Sequence, residues 1–513
     1  MLKNPSLPAA TGHVTKGADI PFMSPLRPKT SGPRLFTSLC CAVTLLRGAV
    51  PGLAAASDSP TAKYFRSDAG VALSPGTLPA NLETPEALRW RVPLDGGHST
   101  PIVQSGRIFL TSYRTDSREL ATVALDEATG KILWRKALVP EKVEQTHEIG
   151  SPATATIACD GKRLFAFFGS AGLFCYDLDG KKLWEKRLGP FRDEYGAGSS
   201  PIVFDNKVIL SQDHDIDSFV LALDAADGHQ VWKTARPDAV RSYSTPMIWN
   251  HDGHPQLLVA GALQLSAYDP ASGERLWWQN GLARIVIPTP VASGPTIYMA
   301  SWAPGGDTGK RVTFLPWPDA LAKWDANHDG KLSKTEIDDH EVLERFFRMD
   351  LDQDGALNRD EWERHAAFFT RAENSVLAIK PSGRGELPPG ALSWKHTRGI
   401  PYVPTPVLDH NILWMVKDGG IVTKLDAATG RLLQEERVPG VGRYFASPAA
   451  GDGKVYFASE SGSVSVVAAE PEWRVISTRE FHEKIFATPV LERGRLYLRT
   501  ESALYSFQGT AKP

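Results

Sequence analysis

Cysteine is nearly absent from this chain, with four residues among 513. Cys40 and Cys41 fall near the N-terminus, which leaves Cys159 and Cys175 further on. These two sit in stretches that read as the first and third strands of one repeat. Such strands are not neighbours, so two buried thiols are expected rather than a disulfide. No Cys-x-x-Cys-His haem attachment and no zinc-spaced Cys/His cluster occurs, which excludes both on pattern. An excess of one charge is missing as well. Lys plus Arg number 57 against 59 for Asp plus Glu, a formal net charge of −2. Without a global field, neither nucleic acid nor an anionic membrane is an expected partner. Beyond the N-terminal segment no apolar run is long enough to cross a bilayer, so no transmembrane segment is expected in the mature chain. Spacing alone assigns no Ser-His-Asp order, no nucleotide-binding loop and no paired catalytic carboxylates.

The N-terminus has its own pattern. Arg27, Lys29 and Arg34 precede an apolar run over 35–46, and Leu53-Ala54-Ala55-Ala56 closes it in small residues. This is the layout of a secretory signal cut near Ala55 or Ala56. Residues 1–56 are therefore read as a leader, with Met23 as an alternative start, and a periplasmic or extracellular location is expected. Residues 57–87, polar and Pro-containing, read as an extended lead-in.

What the chain has in quantity is repetition. Ala124-Leu125-Asp126, then Gly130-Lys131, then Leu133-Trp134 recurs as Asp177, Gly180, Trp184, as Asp224, Gly228, Trp232, and as Asp269, Gly273, Trp277. Each copy predicts strand, tight turn, strand, with Asp capping backbone N–H groups and Gly accepting positive φ. The tryptophans at 90, 134, 184, 232, 277, 394 and 473 are read as structural. A second marker, a Pro after small or polar residues and before an apolar strand, falls at Pro101, Pro152, Pro201, Pro246, Pro290, Pro406, Pro448 and Pro489. Each Pro suits the start of a strand, where a missing N–H costs little. Four strands in about 45 residues is the unit of a β-propeller blade. The last unit supplies three strands and the isolated strand around Trp90 supplies its fourth, so the ends would pair and close the ring. The expected fold is all-β: an eight-bladed β-propeller with a small α-helical EF-hand insertion. Its blades occupy 88–302 and 374–508, and 509–513 form a tail.

The insertion, 303–373, interrupts the fifth blade between its second and third strands. Asp325, Asn327, Asp329, Lys331, Ser333 and Glu336 occupy positions 1, 3, 5, 7, 9 and 12 of a twelve-residue loop, with Gly330 at position 6. Asp350, Asp352, Asp354, Ala356, Asn358 and Glu361, with Gly355, do the same. A hard cation of calcium's size wants six to eight oxygens, and this spacing delivers side-chain oxygens, one carbonyl (from Lys331 or Ala356) and a closing bidentate Glu. Two calcium ions are the expected cofactors. The second loop carries four carboxylates against three in the first and should bind more tightly. Leu332 and Leu357 fall where the loops would pair as a short β-bridge. Trp324, Phe346, Phe347 and Trp362 are placed to pack the helices. Residues 337–349 must serve both loops, which favours a structural role for calcium over sensing.

The Ala-x-Asp…Gly-Lys…Leu-Trp repeat, as at 124–134, resembles the quinoprotein-type (PQQ-binding-like) propeller family. That family includes an outer-membrane assembly lipoprotein branch and the pyrroloquinoline quinone dehydrogenases, so the resemblance implies the fold and leaves the chemistry open. Loops after strand two and before strand one share a face of the ring. Asp213, Asp215 and Arg241 lead the candidates for a small-molecule or metal site at that channel mouth, and His147, Glu148, Tyr243, Arg443 and Tyr444 share the face. The favoured reading is an exported, non-catalytic scaffold or binding protein for a protein or polysaccharide partner. The alternative is a PQQ-dependent alcohol or sugar dehydrogenase. The quinone is not favoured, because many such enzymes carry an adjacent-cysteine disulfide and the only adjacent pair here, Cys40 and Cys41, lies in the leader. A hydrolase using the rim acids is a weaker third reading.

Overall fold

The computed structural model describes residues 61–74, 76–193, 195–307 and 312–509. The leader and its cleavage site lie outside the described residues. The repeat period resolves into eight antiparallel sheets, each carrying four repeat strands. We number the blades 1–8 by their first strands: Ile102–Gln104, Ala158–Cys159, Ile202–Phe204, Met247–His251, Val291–Ser293, Val407–Asp409, Ala449–Gly451 and Val490–Glu492. Inner strands are apolar on both faces because each blade is covered by two neighbours. In blade 1 the second strand, Arg107–Arg114, is buried through its middle, while the fourth, Ile132–Leu138, is largely exposed. The core lies between blades: Phe165, Ile209 and Leu257 come from three successive blades and share one cluster. Ring closure follows the sequence reading. Leu88–Pro93 pairs antiparallel with Ala503–Gln508, placing Trp90 opposite Ser506. Cys159 and Cys175 are free and buried, and burial pushes both thiols up to about 12.

The Asp–Gly–Trp repeat is a docking device between blades. Asp126 accepts from the N–H and hydroxyl of Thr129 at 2.8 and 2.6 Å, which sets the turn. Five of the repeat tryptophans then reach the following blade's turn, whereas Trp277 Nε1 donates within its own blade to Gln256 at 2.7 Å. Trp90 Nε1 donates to the Glu127 carbonyl, Trp134 to Leu178, Trp184 to Ala225, Trp232 to Pro270 and Trp394 to Ala427, all at 3.0–3.3 Å. The ring lies on the turn glycine: a Cβ on Gly228 would stand 2.7 Å from the Trp184 indole, and its φ is +76°. Glycine is required there for both reasons. Gly228→Ala is expected to destabilise the protein by about 1–3 kcal/mol, read as a fall in unfolding midpoint. A change below the measurement error would sink this account of the repeat.

The proline marker conceals a better one. The residue before each of the eight prolines carries a hydroxyl, and seven of these residues, together with Thr156, link into a belt around the channel. Backbone N–H groups donate to the next blade's hydroxyl from Thr100 to Thr156, Thr156 to Ser200, Ser200 to Thr245, Thr289 to Thr405, Thr405 to Ser447 and Ser447 to Thr488, at 2.9–3.1 Å. Blade 2 departs from the expected marker. Its strand begins at Ala158, six residues after Pro152, and Thr156 rather than Ser151 joins the belt.

The lead-in enters the ring. Residues 64–70 turn inside the channel, at the end where the first strands finish. Thr61 meets Gln104 of blade 1, the Lys63 carbonyl accepts from Cys159 of blade 2, and Val71 bridges Ala450 of blade 7. Arg66 donates to the Pro406 and Pro448 carbonyls at 2.6 and 3.0 Å. Above this plug the channel encloses about 130 Å³. Blade 4 gains an unforeseen fifth strand, Gly385–Glu386, parallel to Arg275–Asn280.

The insertion folds as α1 (Trp317–Trp324), α2 (His340–Met349) and α3 (Arg359–Arg371) around Trp362. That indole lies within 6 Å of Phe314, Trp317 and Trp324. Trp324 and Phe346 are buried as expected, whereas Phe347 is exposed, with the Arg192 guanidinium 5.7 Å from its ring. Asn374 ties the insertion's two ends, accepting from the Ala303 N–H at 2.9 Å and donating to its carbonyl at 3.0 Å. Among the described residues no helix is long and apolar enough to cross a membrane.

Candidate metal centre and channel mouth

The two twelve-residue loops take matching conformations. Gly330 and Gly355 have φ of +79° and +88°, and His328 and Gln353 at position 4 both have φ of 60°. Leu332–Ser333 pairs with Ala356–Leu357, setting Leu332 opposite Leu357. In each loop the first Asp turns the chain by accepting backbone N–H groups. Asp325 takes Asp329 and Gly330 at 3.2 and 3.0 Å, and Asp350 takes Gly355 at 3.1 Å. Position 12 closes both loops: Glu336 accepts from Ser333 N–H and hydroxyl, and Glu361 from the N–H groups of Leu351, Asp352 and Asn358. The Ser333 contacts hold the Glu336 carboxyl below its ordinary range.

The second loop is the better gathered. Carboxylate oxygens of Asp350, Asp352 and Glu361 lie within 4.8 Å of one another, and among the described residues no such group of three forms in the first loop. Asp350 Oδ1 is buried and has no hydrogen-bond partner. An orphaned, buried carboxylate oxygen beside two more acids is the donor set of a hard cation. Asp354 instead takes the Lys331 ammonium of the first loop, which holds its carboxyl low. Arg192, from the connection between blades 2 and 3, donates to the Asp350 carbonyl at 2.7 Å and to that of Leu351, fastening this loop to the propeller.

The three channel-mouth candidates divide. Asp213 is not at a rim. Its carboxylate receives Arg236 Nε and Nη2 at 2.7 and 2.9 Å, with both side chains 2% exposed. Arg236 also donates to the Tyr268 hydroxyl at 2.6 Å, so the trio clamps blade 3 to blade 4. Burial disfavours the Arg236 charge, and Asp213 with Tyr268 more than restores it, leaving the guanidinium firmly protonated. Asp215 and Arg241 do come together, with Arg241 Nε 2.8 Å from Asp215 Oδ1 and its guanidinium 4.9 Å from the Tyr195 ring. Beside them Tyr243 donates to Asp193 at 2.9 Å. Across the mouth Arg443 pairs with Glu460 at 2.7 Å and with Glu148 at 2.9 Å, joining blade 7 to the loop before blade 2. The Tyr444 hydroxyl is buried on the Gly440 carbonyl.

Among the described residues no charged side chain lines the cavity above the plug. Its walls are the hydroxyl belt and the rings of Phe65, His98, Phe445 and Phe486. His98 stacks on Phe486 at 4.0 Å, and Phe486 on Phe445 at 5.6 Å. Burial drops His98 to about 3, so it is neutral. Pyrroloquinoline quinone is a fused tricyclic quinone with three carboxylates. A cavity of about 130 Å³ without a lining Lys or Arg does not fit it. Nothing in the sequence pattern pointed to Arg192 or Arg236, which lie in connections. The hydroxyl belt was within reach, one residue ahead of the prolines.

Comparisons with known proteins agree with this architecture. A family model described as outer membrane protein assembly factor BamB matches residues 75–191, 117–284 and 389–510, and an EF-hand model matches 343–365. BamB from Moraxella catarrhalis superposes with a TM-score of 0.52 at 12% identity, over 82% of this chain and 99% of that one. A europium-containing methanol dehydrogenase reaches 0.50 at 12% identity, over 86% and 96%. At such identities the likeness is one of fold. Quinohemoprotein alcohol dehydrogenase ADH IIB of Pseudomonas putida is 27% identical over 199 residues, which span 36% of this chain and only 28% of the dehydrogenase.

Proposed function

This chain belongs to the outer membrane protein assembly factor BamB family, and on that premise we propose that it is an exported, calcium-binding propeller that serves as a non-catalytic scaffold for a protein or polysaccharide partner. One observation carries the calcium reading: the orphaned Asp350 Oδ1 in a loop whose other acids already converge. Asp350, Asp352, Asp354, Asn358 and Glu361, with the Ala356 carbonyl, would hold one ion. Asp325, Asn327, Asp329, Ser333 and Glu336, with the Lys331 carbonyl, would hold the second. The ion's role is structural: it would replace the N–H contacts that now occupy Glu361 and stiffen the loop that Arg192 anchors. Calorimetry on the chelator-stripped protein should give two calcium-binding events, the tighter from the second loop. Glu361→Gln should weaken that event by about tenfold or more, since it removes a bidentate charge, and leave the other in place. Absence of any calcium heat would end the claim.

Two further features favour a scaffold. Of the mouth acids, Asp215, Glu148 and Glu460 are engaged by arginines and Asp193 by the Tyr243 hydroxyl, and the channel is plugged by residues 64–70. A quinone dehydrogenase is the second reading, supported by the partial match to the alcohol dehydrogenase and opposed by the channel lining. Titration with the quinone, followed by dye reduction with an alcohol or sugar, separates the two. Reduction above the quinone-free blank would overturn the scaffold.

A further inference from the structure

Between the insertion and the loops of blades 3 and 4 lies a cleft of about 60 Å³ with an unusual lining. Four guanidiniums border it, from Arg241, Arg284, Arg348 and Arg364, against two carboxylates, Asp215 and Glu361. Both acids are engaged already, Asp215 by Arg241 and Glu361 by the N–H groups of its own loop. The rest of the wall is apolar: Val240, Ile285, Met349, Leu351, Phe368 and Phe369. We propose that this cleft binds a small organic carboxylate, its charge between Arg284 and His365 and its body against the apolar wall.

Arg284 is placed to receive such a group. Its guanidinium stands 5.0 Å from the Phe369 ring and its Nε donates to the Pro304 carbonyl at 3.0 Å. No carboxylate of the described residues lies within ion-pair distance of it. Burial, and the neighbouring Arg348 and Arg345, push it down to about 10, a cost that an anion would relieve. His365 lines the same cleft, held edge-on to Phe314 at 5.3 Å, and its Nε2 is buried with no partner. Burial and Arg284 drop it to about 3, so the ring is neutral and its unpartnered nitrogen can donate to an oxygen. A divalent cation would meet the arginines, and an inorganic anion would leave the apolar wall unused. At about 10–15 Å³ of such space for each water, the cleft has room for roughly four to six waters, which matches a benzoate-sized body. This inference does not depend on the calcium reading.

The test is calorimetric titration of the full chain with benzoate at fixed ionic strength in a calcium-free buffer that contains no other carboxylate. Saturable binding is expected, weakened about tenfold or more by Arg284→Gln, the loss of one charge-assisted pair. Arg284→Lys should keep part of the affinity, and His365→Phe should weaken it with the fold intact by circular dichroism. Inorganic phosphate should not compete. Absence of saturable benzoate binding would overturn the site, as would unchanged affinity in a folded Arg284→Gln variant. Phosphate binding as tightly as benzoate would overturn the assignment to an organic carboxylate.

Discussion

Asp213→Ala is expected to cost about 3–5 kcal/mol of stability, the penalty for leaving one member of a buried ion pair without its partner. The argument starts from where the pair sits. Arg236 directly follows the fourth strand of blade 3, Gln230–Ala235, and its guanidinium is almost wholly out of water. It has two acceptors, the Asp213 carboxylate and the Tyr268 hydroxyl. Gly261 approaches so closely that a Cβ there would stand 2.6 Å from Asp213 Oδ2, so the pair is packed directly against the backbone of blade 4. Removal of Asp213 therefore strands a cation in a low-dielectric seam between two blades. The control is the double variant Asp213→Leu with Arg236→Met. Replacing both charges by apolar groups of similar size is often near neutral, so it should recover most of the loss. The measurement is the urea midpoint, or the unfolding rate if refolding fails. A loss below about 1 kcal/mol for Asp213→Ala would place the pair among surface-type bridges and return Asp213 to the list of candidate ligands.

The same residue shows where sequence reading stops. Topology correctly sends Asp213, Asp215 and Arg241 to one side of the ring, because loops after strand two and before strand one share a face. It carries no information about which carboxylate meets which guanidinium across blades. Arg236 lies in the repeat just past Trp232, where no pattern marks it, and it converts Asp213 from a rim acid into a clamp. Strand count, blade count and closure through Trp90 were legible, since each rests on local period and turn chemistry. So was the β-bridge of Leu332 and Leu357. Proline misled in blade 2 because Pro152 precedes a turn there, whereas the belt is built by hydroxyls and Thr156 stands before Ile157 rather than proline. Phe347 looked like core by spacing alone, but a helix serving two loops has one buried face, and Val342, Phe346 and Met349 fill it.

These features give the molecule two unlike ends. The mouth is charged but internally paired, and the insertion stands over it on Arg192 and Arg364. The opposite end is closed by the lead-in, whose Arg66 caps carbonyls that the first strands leave open. The insertion therefore helps to set the geometry of the mouth rim.

The plugged end supplies the second large effect. Glu492→Gln is expected to raise stability above pH 7 by about 1–3 kcal/mol, an order-of-magnitude conversion of its shift. Glu492 ends the first strand of blade 8 under the lead-in and is almost fully buried. The Ser74 hydroxyl lies 3.3 Å from it, as does Arg493 Nε. Burial pushes its carboxyl up to about 7 from 4.5, aided by the charges of Glu127 and Asp68 and opposed by Arg493 and Ser74. The folded protein then holds a proton that the unfolded chain releases at lower pH. Between pH 4.5 and 7 the folded state binds more protons than the unfolded one, so this group makes stability fall as pH rises through that window. Its full penalty is present above pH 7 and absent below pH 4.5. Gln keeps the shape and the Ser74 contact without a charge to desolvate, so the variant should gain most at pH 8 and nothing at pH 4. Unfolding midpoints of the two proteins across that range decide it. Parallel curves, or a variant less stable at pH 8, would mean that Glu492 stays ionised at no cost, paired with Arg493.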